Sequence, residues 1–293
     1  MVGVEAWAPC HITGFFAPVK RKDLLRTGSI GGGVSLGEGV KVEVLLRGRE
    51  VELYLNGESC RLPTSEAVVE EYARRLGRIG LVAYHWVEVP VGAGLGSSGA
   101  GALALSFALN EALGRPFSDQ EAAQIAHIAE LRARTGLGTV LAEYYGGLEL
   151  RREAGAPGVG VVEVREPAED LVVAHLHFGS IATAKLLSDR RFLQSVARLG
   201  RRALEQMPNA WTEEDLMRVS RWFSDKLNIY PRKLHHILPV LDMLDVTFSM
   251  VMLGEGLFTI TTANRATELR EFCEKKLGVE LRCYRVCRVL RRT

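Results

Sequence analysis

The run Pro90-Val-Gly-Ala-Gly-Leu-Gly-Ser-Ser-Gly-Ala-Gly-Ala-Leu-Ala-Leu-Ser106 decides how the rest of the chain is read. Before it, Leu81-Val-Ala-Tyr-His-Trp-Val-Glu-Val89 is rich in β-branched and aromatic residues, the composition of a strand. After it, residues 99–113 are small or apolar helix formers, and Gly114 supplies a stop signal. Strand, glycine-rich loop and helix N-terminus, in that order, build an anion site. Glycines let backbone approach a ligand, and the free N–H groups of the helix's first turn point at it with the positive end of the dipole. Ser97 and Ser98 add two hydroxyls where a phosphate or its metal would sit. A helix simply capped by one of these serines is the plainer alternative, but one cap does not require the further glycines.

Three phosphate-binding classes compete for such a loop. Gly94-Leu-Gly96-Ser-Ser-Gly99 matches the dinucleotide fingerprint, which demands a second strand after the helix with an acidic residue at its end. Here a polar turn and the capping box Ser118-Asp-Gln-Glu121 open another helix instead, to about Arg134. A nicotinamide-dependent oxidoreductase is therefore kept only as the alternative from another class. A Walker loop needs Gly-Lys-Ser/Thr, and no lysine lies between positions 42 and 184.

The totals narrow the setting. With 293 residues, 47% hydrophobic and 25% charged, the chain is an ordinary globular protein of one large or two smaller domains. A net charge of +2 gives no case for nucleic acid. No apolar stretch is long enough to span a membrane, and Met1-Val-Gly-Val-Glu5 is no signal peptide, so a cytoplasmic protein is expected. Five cysteines without a Cys-x-x-Cys pair indicate neither a disulfide framework nor a zinc site. Arginine outnumbers lysine 29 to 8, and Asn plus Gln total nine, a depletion of labile amides that fits a hot environment.

Along the chain, residues 4–8 read as a strand, Ala8–Phe16 as irregular backbone, and Arg26-Thr-Gly-Ser-Ile-Gly-Gly-Gly33 as a glycine-rich element. Short strands follow at 34–37, 40–46 and 50–55, then a helix capped by Ser65 and ended by Gly77. Beyond Thr135-Gly-Leu-Gly138 come a short helical piece, Gly146-Gly147 and strands at 148–152, 160–165 and 170–178. The remainder reads as a helix over 181–207 and one capped by Thr212. A third begins at Pro231, and a small-residue turn covers 249–256. Strand 257–261, helix 265–277 and strand 280–290 complete the chain. The class is α+β.

The loop residues Pro90, Gly94, Leu95, Gly96, Ser97 and Ser98 resemble the Pro-x-x-x-Gly-Leu-Gly-Ser-Ser motif of the GHMP small-molecule kinase superfamily. Ala8-Pro9 with Ile12 and Gly14 is similar to that family's first motif, with His11 in place of its usual lysine; Met252-Leu-Gly-Glu-Gly256 faintly echoes its third. Within the superfamily, His11-Ile-Thr-Gly-Phe-Phe16, Thr27-Gly-Ser29, Thr135-Gly-Leu-Gly138 and Gly146-Gly147 resemble the archaeal pantoate kinases.

The resemblance implies a two-lobed α+β fold with mixed and antiparallel sheets, packed helices and an active site in the cleft between lobes. An ATP-binding domain over residues 1–165 and a C-terminal domain over 166–293 are expected. So is phosphorylation of the 4-hydroxyl of pantoate on the archaeal route to coenzyme A, and the resemblance also implies a homodimer. A kinase of another small hydroxy acid or alcohol, of mevalonate or homoserine type, is the alternative within the class. ATP would lie along Pro90, Gly94, Leu95, Gly96, Ser97, Ser98, Gly99 and Ala100, with Mg²⁺ held by Ser98 and Glu130. The substrate would meet His11, Ser29, His127 and Arg151.

The residues themselves agree with this chemistry. Mg²⁺ takes hard oxygens, few of them from protein. A planar guanidinium suits a carboxylate. His127, Glu130 and Arg134 stand at i, i+3 and i+7 and share one helix face. The position seven residues before Gly146, where superfamily members with a catalytic base carry aspartate, is Thr139. Threonine takes no proton at neutral pH, so either positioning and charge neutralisation suffice at Thr139 or nearby Glu143 supplies the carboxylate.

Overall fold

The computed structural model describes residues 3–180, 189–252 and 254–290. Two long antiparallel strands, β1 (Val4–Val19) and β2 (Gly28–Leu46), organise the first half. Where composition predicts irregular backbone at Ala8–Phe16, and through the glycine-rich element ending at Gly33, both strands run on. The irregularity is confined to two register shifts, between Pro9 and His11 and between Thr13 and Phe15. A proline is tolerated there because a bulge needs no ladder donor.

β2 is the spine of a seven-stranded sheet. One edge pairs with β1 along its length, and the other is divided between β6 (Leu148–Glu153) at Gly31–Val34 and β5 (Leu81–Val87) at Val40–Leu46. β3 (Val51–Leu55) joins β5 in parallel, and β4 (Glu58–Ser59) folds back on β3 across Asn56-Gly57. β7 (Val161–Arg165) closes the far side. A second, antiparallel sheet has the order β11-β8-β10-β9, from β8 (Leu171–Ser180), β9 (Ser249–Met250), β10 (Gly254–Thr262) and β11 (Leu281–Arg285). The mixed and antiparallel sheets with packed helices are the α+β arrangement expected.

Four helices belong to the first half: α1 (Pro63–Leu76), α2 (Ser97–Ala112), α3 (Asp119–Ala133) and α4 (Thr139–Tyr145). The second half holds α5 (Arg190–Glu205), α6 (Glu213–Leu227), α7 (Arg232–Leu241) and α8 (Ala263–Phe272). The capping box read at Ser118 is formed, and the cap read at Thr212 is a capping box too. Ser65 is not a cap. It lies inside α1, which starts at Pro63, and its hydroxyl bonds His85 at 3.0 Å. Part of the helix expected over 181–207 falls outside the described residues. The strand expected to reach 290 ends at Arg285, and the chain crosses back to the first sheet through bridges from Val286 to Leu36 and Val289 to Gly146.

α2 explains why the two halves meet where they do. It is apolar on every side, and residues Gly99–Ser106 are all buried. A helix with no polar face must be covered all round; α1, α3 and the strands β1 and β2 cover it. α5 and α6 pack on β1, so helices of the second half rest on the first sheet. Among the described residues no helix is long and apolar enough to cross a membrane.

His175 on β8 is fully buried, and neither ring nitrogen has a hydrogen-bond partner among the described residues. Burial, with His177 and Arg282 nearby, lowers its pKa from 6.5 to about 3. The unfolded chain therefore takes up a proton that the fold refuses, and stability is lost as pH falls below about 6.5 toward 3. Melting temperature should drop across that range, and more shallowly in His175→Leu; parallel melting curves of the two proteins against pH check this.

Candidate active site

β5 ends at Val87, and the chain turns through residues 88–96 into α2. Gly94 and Gly96 hold left-handed φ values of +80° and +72°, which residues with a Cβ adopt only under strain. Gly96 is itself the N-cap of α2, and no side chain caps the helix. The serine-cap reading is thereby corrected: Ser97 and Ser98 are the first two helical residues, and the first turn's N–H groups are left for a ligand. A Cβ on Gly94 would lie 2.8 Å from the Gly254 nitrogen, so the loop is pressed against the turn entering β10 of the second sheet. The loop thus stands in the cleft between the two sheets.

Beneath it lies a cavity of about 220 Å³ lined by Gly94, Leu95, Gly96, Ser97, Ser98 and Gly99 of the loop. His11, Ser29, Glu130, Thr139 and Arg151 line it from the other elements, with Met252 from the second half. Pro90 and Ala100 flank the loop without lining the cavity. The side chains of His11 and Arg151 rest on the Gly31–Gly33 stretch of β2, against Gly33 and Gly31 respectively. Gly33 pairs with Glu149 and Thr13, and Gly31 with Arg151 and Phe16. With no side chains of its own, this part of β2 lets groups from β1 and β6 reach across it. His11 Nε2 and Arg151 Nη1 both bond Glu149 Oε1, at 3.0 and 3.1 Å. All three side chains are buried. Arg151 lines the cavity, and its Nε and Nη2 are buried without a hydrogen-bond partner among the described residues.

Glu130 is buried on α3 and does not pair with Arg134, which leaves the helix as its left-handed C-cap. The Gly138 N–H donates to Glu130 Oε2 at 2.9 Å. Burial raises the Glu130 pKa; hydrogen bonds from Gly138, from the Thr139 hydroxyl and from the N–H groups of Val140 and Thr139 oppose it. Thr139 is therefore engaged with Glu130, and a second carboxylate at that position would face a like charge.

Ser98 and Glu130 line one cavity, and no group of three or more His, Cys, Asp or Glu side chains assembles among the described residues. One hydroxyl and one carboxylate fit Mg²⁺, which keeps several waters and takes phosphate oxygens for the rest.

Two expected residues stand behind the cavity. His127 is fully buried, bonded through Nε2 to the carbonyl of Thr27 at 2.9 Å, and does not line the cavity. It braces the start of β2, from which Ser29 projects. Glu143 lies beneath the loop: a Cβ on Gly99 would come within 2.6 Å of its Oε2. Burial first, then the charge of Glu130, pushes its pKa well up, and it does not line the cavity.

A smaller cavity of about 100 Å³ adjoins the other side of the loop, sharing Val91, Ser97, Ser98 and Thr135 with the first. Its walls include Val40, Leu55, Leu62, Pro63 and Val87. Glu149 was not foreseen as a site residue. Its signal is the alternation Leu148-Glu-Leu-Arg151, which puts both charges on one strand face, a pattern that ordinarily marks the solvated side.

Residues 64–147 match the model of the GHMP kinases N terminal domain. Over 278 residues the chain is 33% identical to a pantoate kinase of Thermococcus kodakarensis, covering 92% of this chain and 91% of that one. A pantoate kinase of Methanocaldococcus jannaschii is 31% identical, covering 87% and 92% respectively. Among solved structures, a "phosphotransferase related to CoA biosynthesis pathway" superposes with a TM-score of 0.86 at 29% identity, covering 98% of this chain and 97% of that one.

The two buried glutamates are expected to separate cleanly. Glu130→Gln should lower kcat by about tenfold to a hundredfold, the scale of lost metal support. Glu143→Gln, at a side chain that does not line the cavity, should leave kcat within about twofold. Steady-state kinetics of both variants check the pair.

Proposed function

Because this chain belongs to the GHMP kinases, and among them to the pantoate kinase family, we propose that it transfers the γ-phosphoryl group of ATP to the 4-hydroxyl of pantoate. The products are 4-phosphopantoate and ADP. The observation that carries the reading is that an uncapped α2 N-terminus and a guanidinium with two unpartnered nitrogens line one cavity. The first suits a triphosphate and the second a small carboxylate.

ATP lies with its phosphates along Gly94–Gly99, and its base in the apolar slot of Leu55, Leu62, Pro63 and Val87. Arg151 binds the pantoate carboxylate through Nη2 and Nε, with Ser29 beside it. His127 holds the Thr27 carbonyl and so sets Ser29. Ser98 and Glu130 would hold Mg²⁺, which would supply charge neutralisation of the phosphates. The first-turn N–H groups of α2 hold the phosphates in line with the hydroxyl. A loose phosphoryl transition state asks chiefly for this positioning and charge neutralisation. The dinucleotide alternative lacks its βαβ unit, since α2 is followed by α3.

A coupled ADP-release assay over pantoate, mevalonate, homoserine and shikimate should respond to pantoate. Turnover of mevalonate or homoserine but not pantoate would contradict the reading. Arg151→Lys should raise KM for pantoate by about tenfold to a hundredfold, the value of hydrogen bonds to a charged group. KM for ATP should stay unchanged in the same assay.

A further inference from the structure

Thr139 leaves the cavity without the carboxylate that would take the proton of the attacking hydroxyl. Among the residues lining the cavity, His11, Glu130 and Arg151 are the ionisable ones. A guanidinium does not accept a proton. Glu130 is held by Gly138 and Thr139, and the proposed function gives it to the metal. His11 is left.

Its geometry suits the task. Glu149 Oε1 lies 3.0 Å from His11 Nε2, and a carboxylate paired with Arg151 can only accept, so Nε2 carries the hydrogen. The lone pair is then on Nδ1, whose hydrogen-bond partner among the described residues is the Thr13 hydroxyl at 3.4 Å, also on the cavity wall. The ring is fixed from both ends. The His11 N–H donates to the Leu95 carbonyl of the phosphate loop at 3.0 Å. The ring itself lies over Gly33, where a Cβ would fall 2.5 Å from Nε2. A carboxylate fixing one imidazole nitrogen so that the other can take a proton is a known way to build a general base.

We propose that His11, oriented by Glu149, accepts the proton of the phosphoryl-accepting hydroxyl, in place of a carboxylate at position 139. The proposal rests on the phosphoryl-transfer reading above. As the hydroxyl oxygen bonds to the γ-phosphorus, the bond from that phosphorus to the β,γ-bridging oxygen breaks and its electron pair leaves on ADP. The O–H bond breaks as well, and its proton goes to Nδ1, to be returned to water after product release.

Burial keeps His11 neutral, the form that accepts; Glu149 opposes that shift and Arg151 adds to it. Glu130 from α3 and Glu143 from α4 are the other ionisable groups around the loop and cavity. Cys10, next on β1, has its thiol pKa raised well up by burial and by Glu143.

The test is the pH dependence of kcat, at saturating ATP and pantoate, in the full-length enzyme and two variants. His11→Asn should lower kcat by about a hundredfold, the lower end for a general base, and lose the fall in rate toward acid pH. KM for ATP should hold. Glu149→Gln removes the counter-charge of the imidazolium and should move that acid limb to lower pH. If His11→Asn fails to fold, the movement of the limb in Glu149→Gln decides alone. A His11→Asn enzyme that keeps both its kcat and its acid limb overturns the proposal, as does a Glu149→Gln limb that stays in place. Wild-type enzyme that releases no ADP with pantoate would instead overturn the phosphoryl-transfer reading, so the two failures are distinguishable.

Discussion

Everything at the cavity depends on one stretch of β2 that carries no side chains. Gly31 and Gly33 lie where the central strand runs beneath the cavity, and side chains there would fill the space that His11 and Arg151 occupy. Gly32, on the opposite face, makes room for Leu150, Phe15 and Leu216 of α6. The sheet is thus covered on both faces at this point, by the core on one side and the cavity on the other. That double cover is why Glu149 and Arg151, on a strand that looks half-solvated, are buried. A buried guanidinium is costly unless paired; Glu149 pairs it, and its second partner is His11.

The same economy of groups holds on the other wall. α4 starts with a left-handed Gly138 and no side-chain cap of its own. Glu130, reaching over from α3, accepts the Gly138 N–H and stands where the first turn of α4 presents its donors. One carboxylate therefore fixes the loop at 135–138, holds Thr139 and faces the cavity opposite Ser98. Glu143 lies on the inner side of α4, where burial and Glu130's charge push its pKa well up, with the Ala100 N–H opposing. Burial raises Glu130 as well, but several donors around it oppose the shift.

Much of this was legible in the chain. The phosphate loop, the capping box at Ser118 and the cap at Thr212 are local devices, written in a few adjacent residues, and both caps formed where read. The gathering of His11, Ser29, Glu130 and Arg151 at the loop came through resemblance, and all four line one cavity. The misreadings share a cause. Gly28–Gly33 and Ala8–Phe16 look like turns because glycine and proline usually break strands, yet here they are tolerated by bulges and by neighbours on both edges of β2. Glu149 was missed because its role depends on two other strands. Ser65 was misread as a cap because its partner, His85, is twenty residues away.

The account stands on where the substrate's two ends lie. A crystal structure with a non-hydrolysable ATP analogue and pantoate tests this most directly. The account predicts the triphosphate against the N-terminus of α2, the pantoate carboxylate on Nε and Nη2 of Arg151, and the 4-hydroxyl between His11 Nδ1 and the terminal phosphate. Pantoate bound with its carboxylate away from Arg151, or with the hydroxyl out of reach of His11, would contradict it.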